Sequence, residues 1–528
     1  MINIHELELG SNDAEDYKRK ELKNFFNTVF CKNIYLDRLL TMNTFFLIGE
    51  KGTGKTAYAV FLSNNEYKET RSIIKYIRET QYQKFITLKT EKHLLLSDYV
   101  SIWRVIILVL MASSIKIDNI SNPFSKNEKF EKIKMAIDGY FNNAFSPEIA
   151  TAMQIVENSK EIASLIFNVL NYQAQESNQL TFTETKFQTN LQFIERNLLN
   201  SIMNLKMKNN QFLFIDGIDI RPTGIEYKEY LSCVKGLAEA IWALNNDDFS
   251  VSNGSKGRFK VVLLIRPDIF QSIGLQNSTN KIMNNSVYLD WRTTYSEYQN
   301  SELFTIGEKL LSYKQDCQGK KRGEIWDYYF NWTTPSTNEK RECDTPFIQF
   351  LRISYSRPRD IVTIVQYMQR IQEQKRPGSE TFLPEIFESN AFKNAYSEYL
   401  MGGVKDQLAF YYTDSDYQLL MYFLSLFKNN SRFNYNFYTE KYKHFTEYVL
   451  KNARDNSLPE LIDTEEMFLQ FLYETNIICY IDEGEKEPLF RYCYRERNIS
   501  NLTPKVEYGK KYEFHYGLIK ALNLAPYK

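Results

Sequence analysis

Residues 49–56 read Gly49-Glu50-Lys51-Gly52-Thr53-Gly54-Lys55-Thr56 and satisfy every fixed position of the phosphate-binding pattern G-x-x-x-x-G-K-[ST]. The run before them, Asn43-Thr44-Phe45-Phe46-Leu47-Ile48, is short and largely apolar and predicts a buried strand. The run after them, Thr56 to Leu62, predicts a helix, so the glycines fall in a strand–loop–helix turn. Gly49, Gly52 and Gly54 let the backbone curl with its N–H groups inward, and Thr53 lies within the curl. The helix N-terminus adds partial positive charge beneath them. Lys55 then reaches the β- and γ-phosphates, and Thr56 offers its hydroxyl to Mg²⁺. This stretch predicts a nucleoside triphosphate site.

Composition bounds the rest. A chain of 528 residues holds three or four domains' worth of sequence. An apolar fraction of 43% and an aromatic fraction of 15% supply material for packed cores and argue against a disordered chain. Lys+Arg and Asp+Glu number 65 each, which excludes a chain-wide electrostatic grip on nucleic acid, though not a single basic face. The six cysteines are scattered without a C-x-x-C pair, as expected of reduced thiols. The four histidines are equally dispersed, so zinc or His-based metal chemistry has no support. The acidic start does not read as a signal peptide. The most apolar run, Val105 to Ala112, falls short of the ~20 residues a membrane span needs. A soluble, cytoplasmic protein with no membrane partner is the expectation.

Along the chain, residues 1–43 read as a helical lead-in, with Leu22, Phe25, Phe26, Val29 and Phe30 at helical spacing. A strand is predicted at Phe85–Leu88. From about 95 to 208 the pattern is helical, including Ile149–Leu170 and Leu191–Leu205, with Ser97-Asp98-Tyr99 as a candidate cap. This block reads as a helical insertion. Gln211-Phe212-Leu213-Phe214-Ile215-Asp216 follows: an apolar strand that carries a carboxylate to the C-terminal edge of a sheet, where Asp216 holds Mg²⁺ directly or through water. A helix over Leu231–Trp242, a polar loop at Asn245–Lys256, a strand at Phe259–Ile265 and a short strand at Val287–Leu289 complete an α/β alternation with a mostly parallel sheet. Residues 296–375 again read helical, interrupted by a loop with Lys320, Lys321 and Arg322. Ser356 as cap and Pro358 in the first turn predict a helix start. Beyond about 376, helices at Gln418–Phe427 and Thr464–Glu474 lead to a hairpin with arms Ile477–Ile481 and Leu489–Tyr494, the outline of a winged helix. Glu513–Leu524 predicts a closing strand and short helix.

This order of motifs resembles the P-loop ATPases that carry an extra catalytic strand, and within them the AAA+-related, STAND and KAP-type NTPases and origin-recognition-like ATPases. It is also similar to a bacterial family sharing F-I-D-G-I-D-x-R-P, here Phe214–Pro222, and L-L-x-R-P-D-I-F, here Leu263–Phe270. The resemblance spans most of residues 44–375, with a weaker echo in the winged helix. It implies an α/β fold: a P-loop NTPase core over 44–295 with a large helical insertion (about 95–208), a helical lid over 296–375 and a C-terminal winged-helix-like domain over 376–528. It implies ATP with Mg²⁺ as the ligand, since no guanine-reading N-K-x-D string is present. Position by position, Gly49, Gly54, Lys55 and Thr56 match the nucleotide loop and Asp216 the Mg²⁺-associated acid. Arg266 matches a strand-end sensor of the γ-phosphate, and Arg359 is similar to the lid arginine.

One position departs. Related ATPases place a second acid directly after the metal-associated Asp to polarise the attacking water; here that residue is Gly217. Asp219 is the next carboxylate and serves through a water relay if the strand end bends; otherwise it pairs with Arg221. The leading expectation is an ATP-dependent switch that couples nucleotide state to homo-oligomer assembly or a partner protein, in a bacterial setting such as defence against phage. A DNA-handling ATPase acting through the winged helix competes with it. Against that stands the wing tip, with Asp482, Glu483, Glu485 and Glu487 against Lys486. A nucleotide-binding scaffold with negligible turnover is the third reading.

Overall fold

The computed structural model describes residues 1–77, 96–121, 184–222, 224–251, 257–335, 343–452, 462–484 and 488–525. The expected strand at Phe85–Leu88, the helical stretch Ile149–Leu170 and the wing-tip residues Glu485, Lys486 and Glu487 lie outside them. The chain divides into two compact units. A sheet unit comprises Ile34–Ile48 and Lys55–Val287; a C-terminal unit comprises Met1–Asn33, Gly49–Gly54 and Tyr288–Lys528.

Five strands order the sheet unit: β1 Phe46–Ile48, β2 Thr70–Tyr76, β3 Asn210–Asp216, β4 Phe259–Ile265 and β5 Ser286–Tyr288. They form one all-parallel sheet in the order β2-β3-β4-β1-β5. The register pairs Phe46 with Leu263, Ile215 with Leu263, and Tyr76 with Asp216. β4 is buried at every position and covers the run expected for it; continuous apolar strands are what a parallel sheet covered on both faces requires. β1 is shorter than its expected run and starts at Phe46; Phe45 before it gives its N–H to Asn285 O at the end of helix Ser278–Asn285. β2 was absent from the sequence reading. It alternates buried and half-buried residues and carries Arg71 and Lys75, the mixed pattern of an edge strand.

Helices Lys55–Asn64 and Tyr227–Ala243 follow β1 and β3, near the expected spans. Tyr227–Ala243 packs on Leu96–Ser114, which in turn meets Glu184–Met203. Leu96–Ser114 begins at Leu96, so Ser97 is inside the helix rather than its cap. After Ala243 the chain widens into a π-helical turn at Leu244–Asp248 and then a 3₁₀ turn at Phe249–Val251, so the first part of the polar loop expected at Asn245–Lys256 is helical; 252–256 lie outside the described residues. The second residue of β4 is a buried cation: Lys260 gives its ammonium to Leu39 O and Thr41 O at 2.6 and 2.8 Å and lies 3.9 Å from the Phe212 ring centroid. It thereby satisfies carbonyls at the end of helix Ile34–Leu40.

The C-terminal unit is mainly helical, with Glu302–Ser312, Pro346–Ile353, Pro358–Lys375 and Asn390–Leu408 as its principal rods. The N-terminal residues strap onto it, Gln366 and Gln369 donating to the carbonyls of Leu9, Gly10, Ile4 and Leu7. Phe25 and Phe26 are buried in it as the helical spacing predicted. Pro358 opens its helix as expected, but the cap residue is Arg357, not Ser356. Ser356 takes φ +54°, a turn conformation that precludes capping. A two-residue ladder joins β6 Thr334–Pro335 to β7 Cys343–Asp344.

Helices Asp414–Ser425, Tyr435–Asn452 and Glu465–Glu474 accompany β8 Arg432–Asn434, β9 Ile478–Glu483, β10 Pro488–Arg491 and β11 Lys511–Phe514. These strands form a four-stranded sheet in the order β10-β9-β11-β8. The expected hairpin is β9–β10, but its second arm stops at Arg491 and Cys493–Glu496 coils into a helical turn. Thr464 caps its helix through Met467 N–H.

His515 lies fully buried beside β11. Its Nδ1 accepts from Gly517 N–H at 3.2 Å, and the rings of Tyr355, Tyr492 and Tyr494 stand around it. Burial, reinforced by Arg495, pushes its pKa down to about 3. Between the ordinary value of 6.5 and about 3, the unfolded chain therefore binds a proton that the folded one refuses. Stability contributed here is complete above that window and falls as pH drops through it, by up to about 1.4 kcal/mol per pH unit. Urea denaturation from about pH 7 to about pH 4 is expected to show a shallower decline for His515→Asn than for the parent. Equal slopes would remove His515 as the cause.

Candidate functional site

Lys55 opens helix Lys55–Asn64 and is only 6% exposed. Its Nζ stands 3.9 Å from Asp219 Oδ2. Burial draws the Lys55 pKa down, opposed first by Asp219 and then by Asp216. The next residue, Thr56, donates its hydroxyl to Asp216 Oδ2 at 2.6 Å, across 160 residues of sequence. The second carboxylate oxygen of Asp216 accepts Gly217 N–H at 2.8 Å. Asp216 ends β3, and burial raises its pKa; Thr56 lowers it and Asp219 adds to the rise. Two carboxylates thus meet one ammonium at the C-terminal edge of the sheet. That excess negative charge out of water favours an added cation. Asp219 Oδ1 is buried without a hydrogen-bond partner, an acceptor of the kind a water or metal-bound water satisfies.

The strand end does bend. Gly217 has φ +95°, and this turn carries Asp219 to Lys55 instead of to Arg221. Arg221 donates to Ile225 O. A side chain at 217 would place Cβ 2.6 Å from Ile77 O and 3.1 Å from Ile77 N, where the chain leaving β2 runs past. The position directly after Asp216, where the sequence comparison looks for a second acid, is therefore closed here by backbone.

β4 delivers Arg266, which is 1% exposed and caps the short helix Pro267–Ser272. Its guanidinium engages Asp268 with both arms, Nε to Oδ1 at 3.1 Å and Nη2 to Oδ2 at 2.5 Å. Both residues act electrostatically on Lys55, so this pair belongs to the same cluster. The expected sensor is thus bound to the carboxylate two residues after it, Asp268.

Gly49–Gly54 packs within the C-terminal unit. Arg357 Nη1 donates to Lys51 O at 2.9 Å, Arg359 N–H to Gly52 O at 3.3 Å, and Trp291 Nε1 to Thr53 O at 2.9 Å. Three consecutive carbonyls are tied to these donors. A trans peptide points its N–H opposite its C=O, so the amides of Gly52 and Gly54 turn the other way. Gly52 at φ +89° and Gly54 at φ +94° give the curl that turns amides into an anion-binding nest. Thr53 closes it with its hydroxyl and its N–H on Glu50 O. Arg359 thus meets the loop through its backbone, with its Cβ 3.4 Å from where a Gly52 Cβ would lie. Arg357, in the same Ser356–Arg359 string, has the larger role. It is held by Asp360 through Nε to Oδ2 at 3.0 Å and Nη2 to Oδ1 at 2.8 Å. Burial opposes its charge, but Asp360, Tyr399 and Tyr355 together outweigh burial and leave its pKa raised. Arg497 and Glu50 form a further buried pair at 2.6 Å. Separated by 447 residues, they have no shared signature in sequence.

Among the described residues, no three or more His, Cys, Asp or Glu gather as a metal cluster. Thr56 and Asp216 fit a Mg²⁺ that takes its remaining oxygens from phosphates and water, the usual habit of that ion. Arg322 of the basic loop is engaged with Ser301 O and Thr305 Oγ1 rather than held out for phosphate. Among the described residues, no helix is long and apolar enough to cross a membrane. No protein-family model, curated protein or solved structure matches the chain.

Proposed function

We propose that this chain is an ATP-binding, Mg²⁺-dependent P-loop ATPase that works as a nucleotide switch. The observation that carries the reading is the Thr56–Asp216 hydrogen bond, which joins the end of the 49–56 loop to the acid ending β3. The strand order supports it, since β4 stands between the loop strand β1 and the acid strand β3, as an extra catalytic strand would. In this reading the Gly52 and Gly54 amides and the Lys55 ammonium hold the phosphate oxygens. Thr56 and Asp216 hold Mg²⁺, which supplies charge neutralisation at the transferring phosphoryl group. Asp219 accepts a proton from the attacking water through its unpartnered Oδ1, next to Lys55. Arg266 stabilises developing charge once Asp268 shares it.

Calorimetric titration with ATP, with and without Mg²⁺, tests binding directly. Asp219→Asn is expected to reduce turnover about a hundredfold, the low end for a lost general base, with ATP affinity nearly unchanged. Turnover equal to the parent's would take Asp219 out of the mechanism and leave a slow or scaffold-like protein.

The winged-helix-like fold proposed for 376–528 does not favour DNA. Asp482 and Glu483 on the wing pair with Lys510 at 3.0 Å and Lys511 at 2.8 Å, so the nearby lysines are committed within the module. Switching through protein contacts, a second copy of the chain included, is the preferred output. Steeply salt-dependent DNA binding that changes with ATP would reverse that preference.

A further inference from the structure

We propose that Arg497 is a positioning residue for the triphosphate loop, and that its ion pair with Glu50 couples filling of the loop to the segment following the C-terminal hairpin. The proposal rests on triphosphate binding at residues 49–56.

Arg497 ends the helical turn Cys493–Glu496, directly after the β9–β10 hairpin. Its side chain is 1% exposed and meets Glu50, 15% exposed, at 2.6 Å. Glu50 is the second residue of a loop whose ligand is a polyanion. An unneutralised carboxylate there repels that ligand, and in a site shielded from water the repulsion is strong. Arg497 cancels it. A buried ion pair contributes little net stability compared with neutral groups of similar volume, so stability alone gives no reason for this one. What it does fix is geometry, by tying the start of the loop to residues 493–497. Neighbouring ties act in the same sense: Arg357 holds Lys51 O and Trp291 holds Thr53 O. A ligand that orders the loop therefore also orders the segment holding it, and the coupling is reciprocal.

The test uses the full-length chain as the parent protein, Arg497→Met, and the double variant Glu50→Gln/Arg497→Met. ATP affinity is measured by calorimetry, and amide exchange at 493–497 is followed with and without ATP. Arg497→Met is expected to bind ATP about tenfold more weakly, because the Glu50 charge in the triphosphate loop is then no longer offset by Arg497. The double variant, free of that charge, is expected to recover affinity to within about threefold of the parent. Rescue by removing the partner's charge assigns the loss to the unbalanced carboxylate rather than to lost packing of the arginine, and the ATP-dependent exchange at 493–497 reads the coupling itself. Both variants are expected to lose the ATP-dependent slowing of exchange at 493–497. If Arg497→Met does not fold, the double variant, which replaces the pair by neutral groups, still reads the coupling. A folded Arg497→Met with parental affinity overturns the proposal, as does either variant that keeps the ATP-dependent protection. Failure of the parent to bind ATP overturns the triphosphate reading instead.

Discussion

Lys55→Met is expected to weaken ATP binding about a thousandfold, by removing charge-assisted hydrogen bonds worth together roughly 4 kcal/mol. Methionine keeps the packing of the aliphatic stem, so the loss isolates the ammonium. In the parent, ATP at a hundred times its dissociation constant should stabilise the folded protein by about 2.7 kcal/mol, and the variant should show almost none of this at the same concentration. The ligand-free variant carries its own signature. Lys55 is one of the groups that hold the Asp216 pKa down against burial. Without it that pKa rises further. A carboxyl whose folded pKa is raised keeps a proton that the unfolded chain releases, so stability falls as pH climbs from the ordinary carboxylate range to the folded pKa. The variant should lose more stability over that rise than the parent. Thermal unfolding with and without ATP across this range measures both effects. Parental ATP affinity in Lys55→Met would end the triphosphate reading at its first step.

What sequence revealed and what it hid follow from the range of the interactions. The loop and its two flanking elements are local: glycines at fixed spacing beside an apolar run report a curl whatever packs around it. β4 was legible because a strand covered on both faces must be apolar throughout, and Phe259-Lys260-Val261-Val262-Leu263-Leu264-Ile265 is apolar apart from Lys260. β2 was missed because Thr70-Arg71-Ser72-Ile73-Ile74-Lys75-Tyr76 is half-exposed and its partner β3 lies far along the chain. Asp216 was readable as the end of a strand, but its contact with Thr56 was not, since only the sheet order brings them together. The Ser356–Arg359 string marks a helix start and points to Arg359. Arg357 holds the loop carbonyl because Ser356 sits in the turn and Arg357 takes the cap. Arg497 had no sequence signal at all. Nothing in residues 493–497 announces that they meet residue 50, and no periodicity encodes a pairing across nearly the whole chain.

Gly217 is where the sequence posed a functional question that the backbone answers. Beside the ATPases whose motifs the sequence resembles, the glycine stands where an acid is expected, and Gly217→Asp looks like a repair. The structure predicts damage. With φ at +95°, any L-residue pays backbone strain of about 1–2 kcal/mol. Its Cβ would sit 2.6 Å from Ile77 O, and backbone cannot rotate aside as a flexible side chain does. Relief requires the chain after β2 to move away, which strains the Ile77 N–H bond to Asp216 O, now 2.8 Å. Gly217 N–H also holds Asp216 Oδ1, so the shift reaches the carboxylate proposed to hold Mg²⁺. Gly217→Ala, which adds no charge, is therefore expected to cost about 3 kcal/mol in urea unfolding and to lower turnover by more than tenfold. Gly217→Asp should do the same or worse, because its carboxylate adds to a cluster already rich in negative charge. A Gly217→Asp protein with undiminished stability and faster hydrolysis would show that the glycine is only a vacancy. The expected pair of losses would show that it is the bend that brings Asp219 to Lys55.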